Sequence, residues 1–271
     1  MNLIDALLLG ILQGLTEFLP ISSSGHLVLA KELLNLQSSN ITFEVFVHFG
    51  TFISVIILFW QDVKMILTSL LQALKNPLKL SYLFKENEHF RLAIFILLGS
   101  IPAGIIGIAY DNEVEVLFND AKFVSVMLLV TGTILYITKF ANPPEGGKVG
   151  FWSTIVIGIT QAIAILPGIS RSGITISSGI FAGVARENAA KFSFLLSLPV
   201  ILGATALKSV EVVTSDTTFT QYMVYLIGTI SAALSGYVAI KFVISILKKK
   251  KFSWFSFYCF IVGILGILFI G

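Results

Sequence analysis

The chain has 271 residues, 56% hydrophobic and only 12% charged, with a mean hydropathy of +0.92 and a formal net charge of +3. Such a composition lacks the polar surface a soluble domain needs, which places the chain in the membrane class. Its positive charges are spread over short loops instead of being gathered on one face, so the net charge does not indicate a nucleic-acid partner.

In chain order, the first apolar stretch, 3–36, is broken near its middle by Pro20, Ser22, Ser23, Ser24 and Gly25. The N-terminus lacks a basic region and this stretch carries Asp5, Gln13 and Glu17, so it is expected to belong to the mature fold and not to a signal peptide. A transmembrane helix needs about 20 mostly apolar residues. Spans are therefore predicted over 44–60, 92–110 and 123–138. A second broken stretch, 151–183, is interrupted by Pro167, Gly168, Ser170 and Gly173, and spans follow over 192–207, 222–240 and 252–271. The single cysteine, Cys259, excludes an intrachain disulfide and a cysteine metal cluster.

Lysine and arginine set the orientation. Lys64, Lys75, Lys79, Lys85 and Arg91 crowd one loop, Lys139 and Lys148 a second, Arg186 and Lys191 a third, and Lys248 to Lys251 form a run. The positive-inside rule makes these loops cytoplasmic. The alternate loops, one with Asp111, Glu113, Glu115 and Asp120, the other with Glu211 and Asp216 beside Lys208, then face outward.

A break deep in an apolar stretch leaves backbone groups that lipid cannot satisfy, so each broken stretch is read as a re-entrant hairpin of two half-helices. The two stretches match at a constant offset of 148 positions: Gly10, Ile11, Gln13, Ile21, Ser22, Ser24 and Gly25 recur as Gly158, Ile159, Gln161, Ile169, Ser170, Ser172 and Gly173. One hairpin plus three spans make a half, over about 1–140 and about 150–271. An odd number of crossings opposes the halves. The fold class expected is an all-α integral membrane protein of six transmembrane helices and two re-entrant hairpins in an inverted-topology repeat, its site where half-helix ends converge.

Gln13 and Glu17 are four apart and share a helix face. A carboxylate within an apolar segment is costly and by default functional. Ser22, Ser23, Ser24, Gly25 and His26 follow at the start of the second half-helix and bring hydroxyls, free N–H groups and an imidazole together. In the second hairpin Gly168, Ser170, Arg171, Ser172, Gly173 and Thr175 read as an anion cradle. Glycines admit close approach, half-helix N-termini present N–H groups, and arginine offers a planar fork for phosphate. Glu44 and His48, also four apart, either line the same cavity or sit at an interfacial helix end, and are left outside the core site; Asp5 and Lys31 are read as interfacial, and His89 is assigned no role. These residues suit phosphate chemistry on a lipid-borne substrate and also the transport of an anion or lipid, and the residues alone leave both open. A structural scaffold is disfavoured by the clustered polar turns.

QGLTEFLPISSSGH followed by LPGISRSGITIS resembles the two signature motifs of the bacterial undecaprenyl-diphosphate phosphatases, the family associated with bacitracin resistance, and the similarity runs on into FEVFVHFGT and FSFLLSLP. The resemblance implies a multi-pass enzyme of the bacterial cytoplasmic membrane that removes the terminal phosphate of undecaprenyl diphosphate. Its site would open to the outer face, and the carrier would be recycled for cell-wall synthesis. It further implies that a divalent cation assists, Mg2+ or Ca2+, held by Glu17 with Gln13, and that Glu17, Ser23 and His26 lie in the catalytic motifs. Ser23 is the candidate nucleophile with His26 as its base, a histidine nucleophile or direct attack by water being the alternatives. Phosphate-binding falls to Ser22, Ser24, Gly168, Ser170, Arg171, Ser172, Gly173 and Thr175. Bacitracin would compete for the substrate instead of binding the enzyme, membrane lipid would surround it, and a homodimer is left open. Where many members have two glutamates, this chain has Gln13 before Glu17. The amide oxygen can coordinate but supplies no charge.

Overall fold

The computed structural model describes residues 1–33, 41–213 and 218–270, without the side chains of Lys31, Leu33, Ile41, Asp111 and residues 207–213. The end of the first hairpin at Leu36, the final residue of the last predicted span, and Asp216 of the outward loop lie outside the described residues, as do the side chains of Lys208 and Glu211. Among the described residues all regular structure is helical.

The first broken stretch is α1 (Leu3–Phe18), a turn, and α2 (Ser23–Leu33); the second is α9 (Phe151–Ile163), a turn, and α10 (Arg171–Phe181). At 1.5 Å per residue, the 13 residues of α9 extend about 20 Å and the 11 of α10 about 16 Å, short of a hydrocarbon core of about 30 Å. Neither can cross alone. Between the hairpins come α3 (Ile41–Leu58), α4 (Trp60–Lys75), α5 (Leu80–Glu86), α6 (Glu88–Ala109), α7 (Asp111–Leu117) and α8 (Ala121–Ile137). After them follow α11 (Arg186–Val213), α12 (Phe219–Lys248) and α13 (Phe255–Phe269).

By length and apolar content α6, α8, α11, α12 and α13 can each span a membrane. The helix predicted over 44–60 ends at Leu58 instead; α4 begins at Trp60 and the pair is bent by 88°. Where a lysine-rich loop was expected the chain thus forms α4 and α5, because apolar side chains recur at helical spacing among the lysines. The remaining predicted spans are all present, and α11 and α12 run well past the predicted ends. On α12, Leu226, Ile230, Leu234 and Val238 form an exposed apolar stripe at four-residue spacing that fits lipid and not water. The chain is a multi-pass membrane protein.

Each first half-helix packs on a span of the other half. Along α1, Gly10 lies against Gly228, and Gly14 against Ala232 and Gly236, so α1 runs parallel to α12. Along α9, Gly158 lies against Gly99, and Ile165, just beyond its end, reaches Gly107, so α9 runs parallel to α6. Two spans, α8 and α11, separate α6 from α12. Contacts are close because the seams are glycine: a Cβ on Gly158 would sit 2.8 Å from the Gly99 carbonyl oxygen and 3.0 Å from its Cα. The matching glutamines differ: Gln161 Nε2 donates to Gly99 O at 3.3 Å, whereas Gln13 Nε2 donates to Glu17 Oε2 at 3.0 Å.

The main core gathers where α1 ends. Phe18 meets Phe194 of α11 edge-on at 5.7 Å, and Phe59, at the α3–α4 bend, stacks on the same ring at 6.3 Å. These aromatics form an apolar floor beneath the first turn.

Because backbone cannot yield, Gly158→Val is expected to cost about 1–3 kcal/mol and to lower the melting temperature in detergent. Gly104→Ala, where a Cβ meets nothing within 4 Å, is expected to leave the melting temperature unchanged. Equal thermal shifts for the two variants would contradict the seam.

Candidate active site

Both turns are built by one local rule. Ser22 and Ser170, 148 positions apart, each cap a half-helix with the side-chain hydroxyl: Gly25 N–H donates to Ser22 Oγ at 3.2 Å and Gly173 N–H to Ser170 Oγ at 3.1 Å. Each cap hydroxyl also meets the serine two residues on, Ser24 or Ser172, at 3.2 Å. Ser22 holds a positive φ of 69°, a conformation costly for a residue with a Cβ. Its counterpart Ser170 is extended at φ −75°; in the second turn the left-handed residue is Gly168, two positions earlier at φ 92°, where a Cβ would clash with the Val124 carbonyl oxygen. The caps leave the N–H groups of Ser23 and Ser24, and of Arg171 and Ser172, with no acceptor among the described residues. Each tip therefore presents an anion-binding pair of donors.

The turns touch. Gly168 N–H donates to Ser24 Oγ at 3.5 Å, and Ser172 Oγ donates to the Leu19 carbonyl at 3.3 Å. A Cβ on Gly173 would lie 3.3 Å from Pro20 Cβ. Between them sits Glu17, its side chain 8% exposed. Ser23 Oγ donates to Glu17 Oε2 at 2.7 Å, and Arg171 forms an ion pair with Oε1 through Nη2. Ser23 and Arg171 are the same position in the two copies, each the first residue of its half-helix. A carboxylate in the last turn of α1 opposes the helix dipole, so it needs these two donors and the N-terminal ends that carry them.

Of the sequence-predicted residues, Gln13, Glu17, Ser23, Ser24, Gly168, Arg171 and the caps Ser22, Ser170 and Gly173 converge. Thr175 does not reach the cradle: it is fully buried, donates to the Arg171 carbonyl at 2.7 Å and meets Ser193 of α11 at 2.6 Å. The Ser172 hydroxyl is likewise taken up by Leu19 and Ser170, which leaves only its N–H without a partner among the described residues. The expected pairing of His26 with Ser23 is absent. His26 Nδ1–H donates to the Ser22 carbonyl at 2.8 Å, so Nε2 accepts from the Tyr258 hydroxyl at 2.8 Å, and the two rings stack at 5.5 Å. Three residues along a helix place His26 beyond Ser23, and a carbonyl one turn back captures its ring.

Sequence reasoning left His48 outside the core site with the shared cavity as one of two readings; its Nε2 stands 4.0 Å from Glu17 Oε2, while Nδ1–H donates to the Glu44 carbonyl at 2.8 Å. The four-residue spacing fixed a face but not the neighbour. Thr131 of α8 was missed: its hydroxyl donates to Gly168 O at 3.0 Å and accepts from Ser170 N–H at 3.1 Å, locking the second turn. A threonine in mid-span was the only signal. Tyr258 gave none within its aromatic run, and Cys259, assigned no role, donates its thiol to the Pro20 carbonyl at 3.7 Å.

Oxygen donors for a cation can be tested on the same atoms. Gln13 Oε1 is buried without a hydrogen-bond partner among the described residues, and the same side chain's Nε2 donates to the Glu17 carboxylate. One carboxylate and one orphan amide oxygen fit a magnesium or calcium ion that takes its remaining ligands from phosphate and water. Among the described residues no cluster of three or more His, Cys, Asp or Glu side chains exists, so the protein alone offers no complete cage.

Removing Arg171 leaves Glu17 buried without its cation. Arg171→Ala is expected to destabilise the fold by about 3 kcal/mol. Adding Glu17→Gln should recover most of that loss in a thermal double-mutant cycle, whereas additive losses would contradict the pair.

Comparison with known proteins places the chain in a family. The family model described as bacitracin resistance protein BacA matches residues 6–265. An undecaprenyl-diphosphatase of Halothermothrix orenii is 45% identical over 253 residues, covering 93% of this chain and 92% of the relative. Those of Salinibacter ruber and Methanobrevibacter smithii are 42% and 40% identical, covering 90% and 92% of this chain and 91% of each relative. A match from the first half-helix through the last span leaves one assignment: the chain belongs to the BacA bacitracin resistance protein family.

Proposed function

We propose that the chain hydrolyses undecaprenyl diphosphate to undecaprenyl phosphate and inorganic phosphate, recycling a lipid carrier for cell-wall synthesis in the cytoplasmic membrane of a bacterium. The relatives carry the name of a diphosphatase, which favours hydrolysis over transport. The observation that carries the reading is the junction at Glu17, where a hydroxyl from one turn and a guanidinium from the other meet on a single buried carboxylate.

The diphosphate is placed between the tips, with the terminal phosphate on Arg171 and on the free N–H groups of Ser23, Ser24, Arg171 and Ser172. Ser23 Oγ attacks that phosphorus while its proton passes to Glu17 Oε2, the acceptor it already faces. The bond to the bridging oxygen breaks and its electron pair leaves on undecaprenyl phosphate. A phosphate with a second pKa of about 6 departs without a general acid. Water then attacks the phosphoserine, Glu17 returns the proton to Ser23 Oγ, and the water's hydrogens leave on inorganic phosphate. His26 is a positioning residue in this scheme, since its bond to Ser22 O holds the strained cap. A divalent cation between Glu17 and Gln13 would neutralise phosphate charge when bound. The hairpins form an inverted repeat, and the site opens to the outer face, from which α1 descends.

Phosphate release from a prenyl diphosphate by the purified protein tests the activity. Ser23→Ala and Arg171→Ala are expected to lose at least about a hundredfold in kcat. A labelled phosphoserine should be trapped in the wild type and absent in Ser23→Ala; near-normal turnover of Ser23→Ala would replace the serine by direct water attack. For the cation, Gln13→Glu adds a charge beside Glu17 and should lower the Mg2+ concentration for half-maximal activity. An unchanged or higher concentration would remove Gln13 from the ligand set.

A further inference from the structure

The segment between α3 and α6 has a surface that the active site does not use. It begins with an 88° bend at Phe59, so if α3 crosses the bilayer, α4 lies across that direction. α4 has three faces. Ser69 and Ala73 are buried on the side packed against α6, and Asp62 near its start is held by Lys191 at 2.7 Å. Trp60, Leu67, Leu71 and Leu74 share a second face and are 57, 54, 57 and 78% exposed. Lys64, Thr68, Gln72 and Lys75 occupy the third, and all four are exposed.

None of the described residues covers the apolar face, and water is an unfavourable neighbour for it. Charge identifies the occupant. From α4 to the end of α5 the chain carries Lys64, Lys75, Lys79 and Lys85 against two acids, Glu86 and Asp62, the latter already neutralised by Lys191. An apolar stripe bordered by lysines on a helix lying across a span matches the boundary between acyl chains and anionic headgroups. We propose that α4 is an in-plane helix that docks on anionic lipid in the leaflet on the lysine-rich side, its leucines among acyl chains and Lys64 and Lys75 at the headgroups. Through the Phe59 bend this anchor sets the height of α3, the span that brings His48 to Glu17. The inference is independent of the hydrolytic reading.

The test uses the full chain in vesicles, with a bimane label on Leu71→Cys, Cys259 being buried and unreactive. A Gln72→Cys label serves as the water-facing control, and a retained melting temperature verifies folding. Brominated acyl chains should quench the label at 71 but not at 72, and aqueous iodide should do the reverse. In an equal mixture of phosphatidylglycerol and phosphatidylcholine, quenching with the bromine on phosphatidylglycerol should be at least about fivefold stronger than with the bromine on phosphatidylcholine. Lys64→Gln with Lys75→Gln should bring that ratio close to parity. Iodide quenching at 71 would overturn the in-plane placement, and protection from both quenchers would assign the face to a second protein copy. Equal quenching by the two lipids in the unsubstituted background would overturn the anionic partner.

Discussion

A buried carboxylate at the wrong end of a helix is the constraint around which this protein is arranged. Glu17 ends α1, where the helix dipole disfavours negative charge, and its surroundings exclude most of the water that would solvate it. Its compensation comes from the two half-helix starts, through Ser23 on one and Arg171 on the other. That requirement holds the hairpin tips together. The glycine seams follow from it, since each first half-helix must lie close against a span for its tip to arrive at the junction.

Symmetry and its breaking divide the work. The caps at Ser22 and Ser170 and the crossings at Gly10 and Gly158 are shared by both copies. The chemistry lies where the copies differ: Glu17 is matched by Ile165, and Ser23 by Arg171. One duplicated element thereby supplies a hydroxyl and a guanidinium from equivalent positions, both aimed at a carboxylate that only one copy carries. Neither turn is complete alone.

The long apolar runs and the two broken stretches were legible because hydropathy and proline, serine and glycine breaks act locally. The offset of 148 was legible for the same reason. α4 was hidden because its lysines are interleaved with its leucines, and a charge count sees only a loop. At the site, Gln13, Glu17, Ser23 and Arg171 stood out as polar residues in apolar segments. Thr175 carried the same signal yet turns to α11, and His26 turns to Ser22 and Tyr258. The direction of a side chain depends on neighbours contributed by distant segments, as with His48, Thr131 and Tyr258, and no local pattern records them.

The central claim is that the two turns meet. Pro20→Cys with Gly173→Cys in a Cys259→Ala background places sulfurs on positions whose Cβ atoms lie 3.3 Å apart, near the reach of a disulfide. Mild oxidation in native membranes should join the two cysteines within one chain, read as a mobility shift that a reductant reverses. Failure to cross-link, while both thiols remain present and the protein folded, would show that the turns do not converge and would remove the junction at Glu17 on which the account rests.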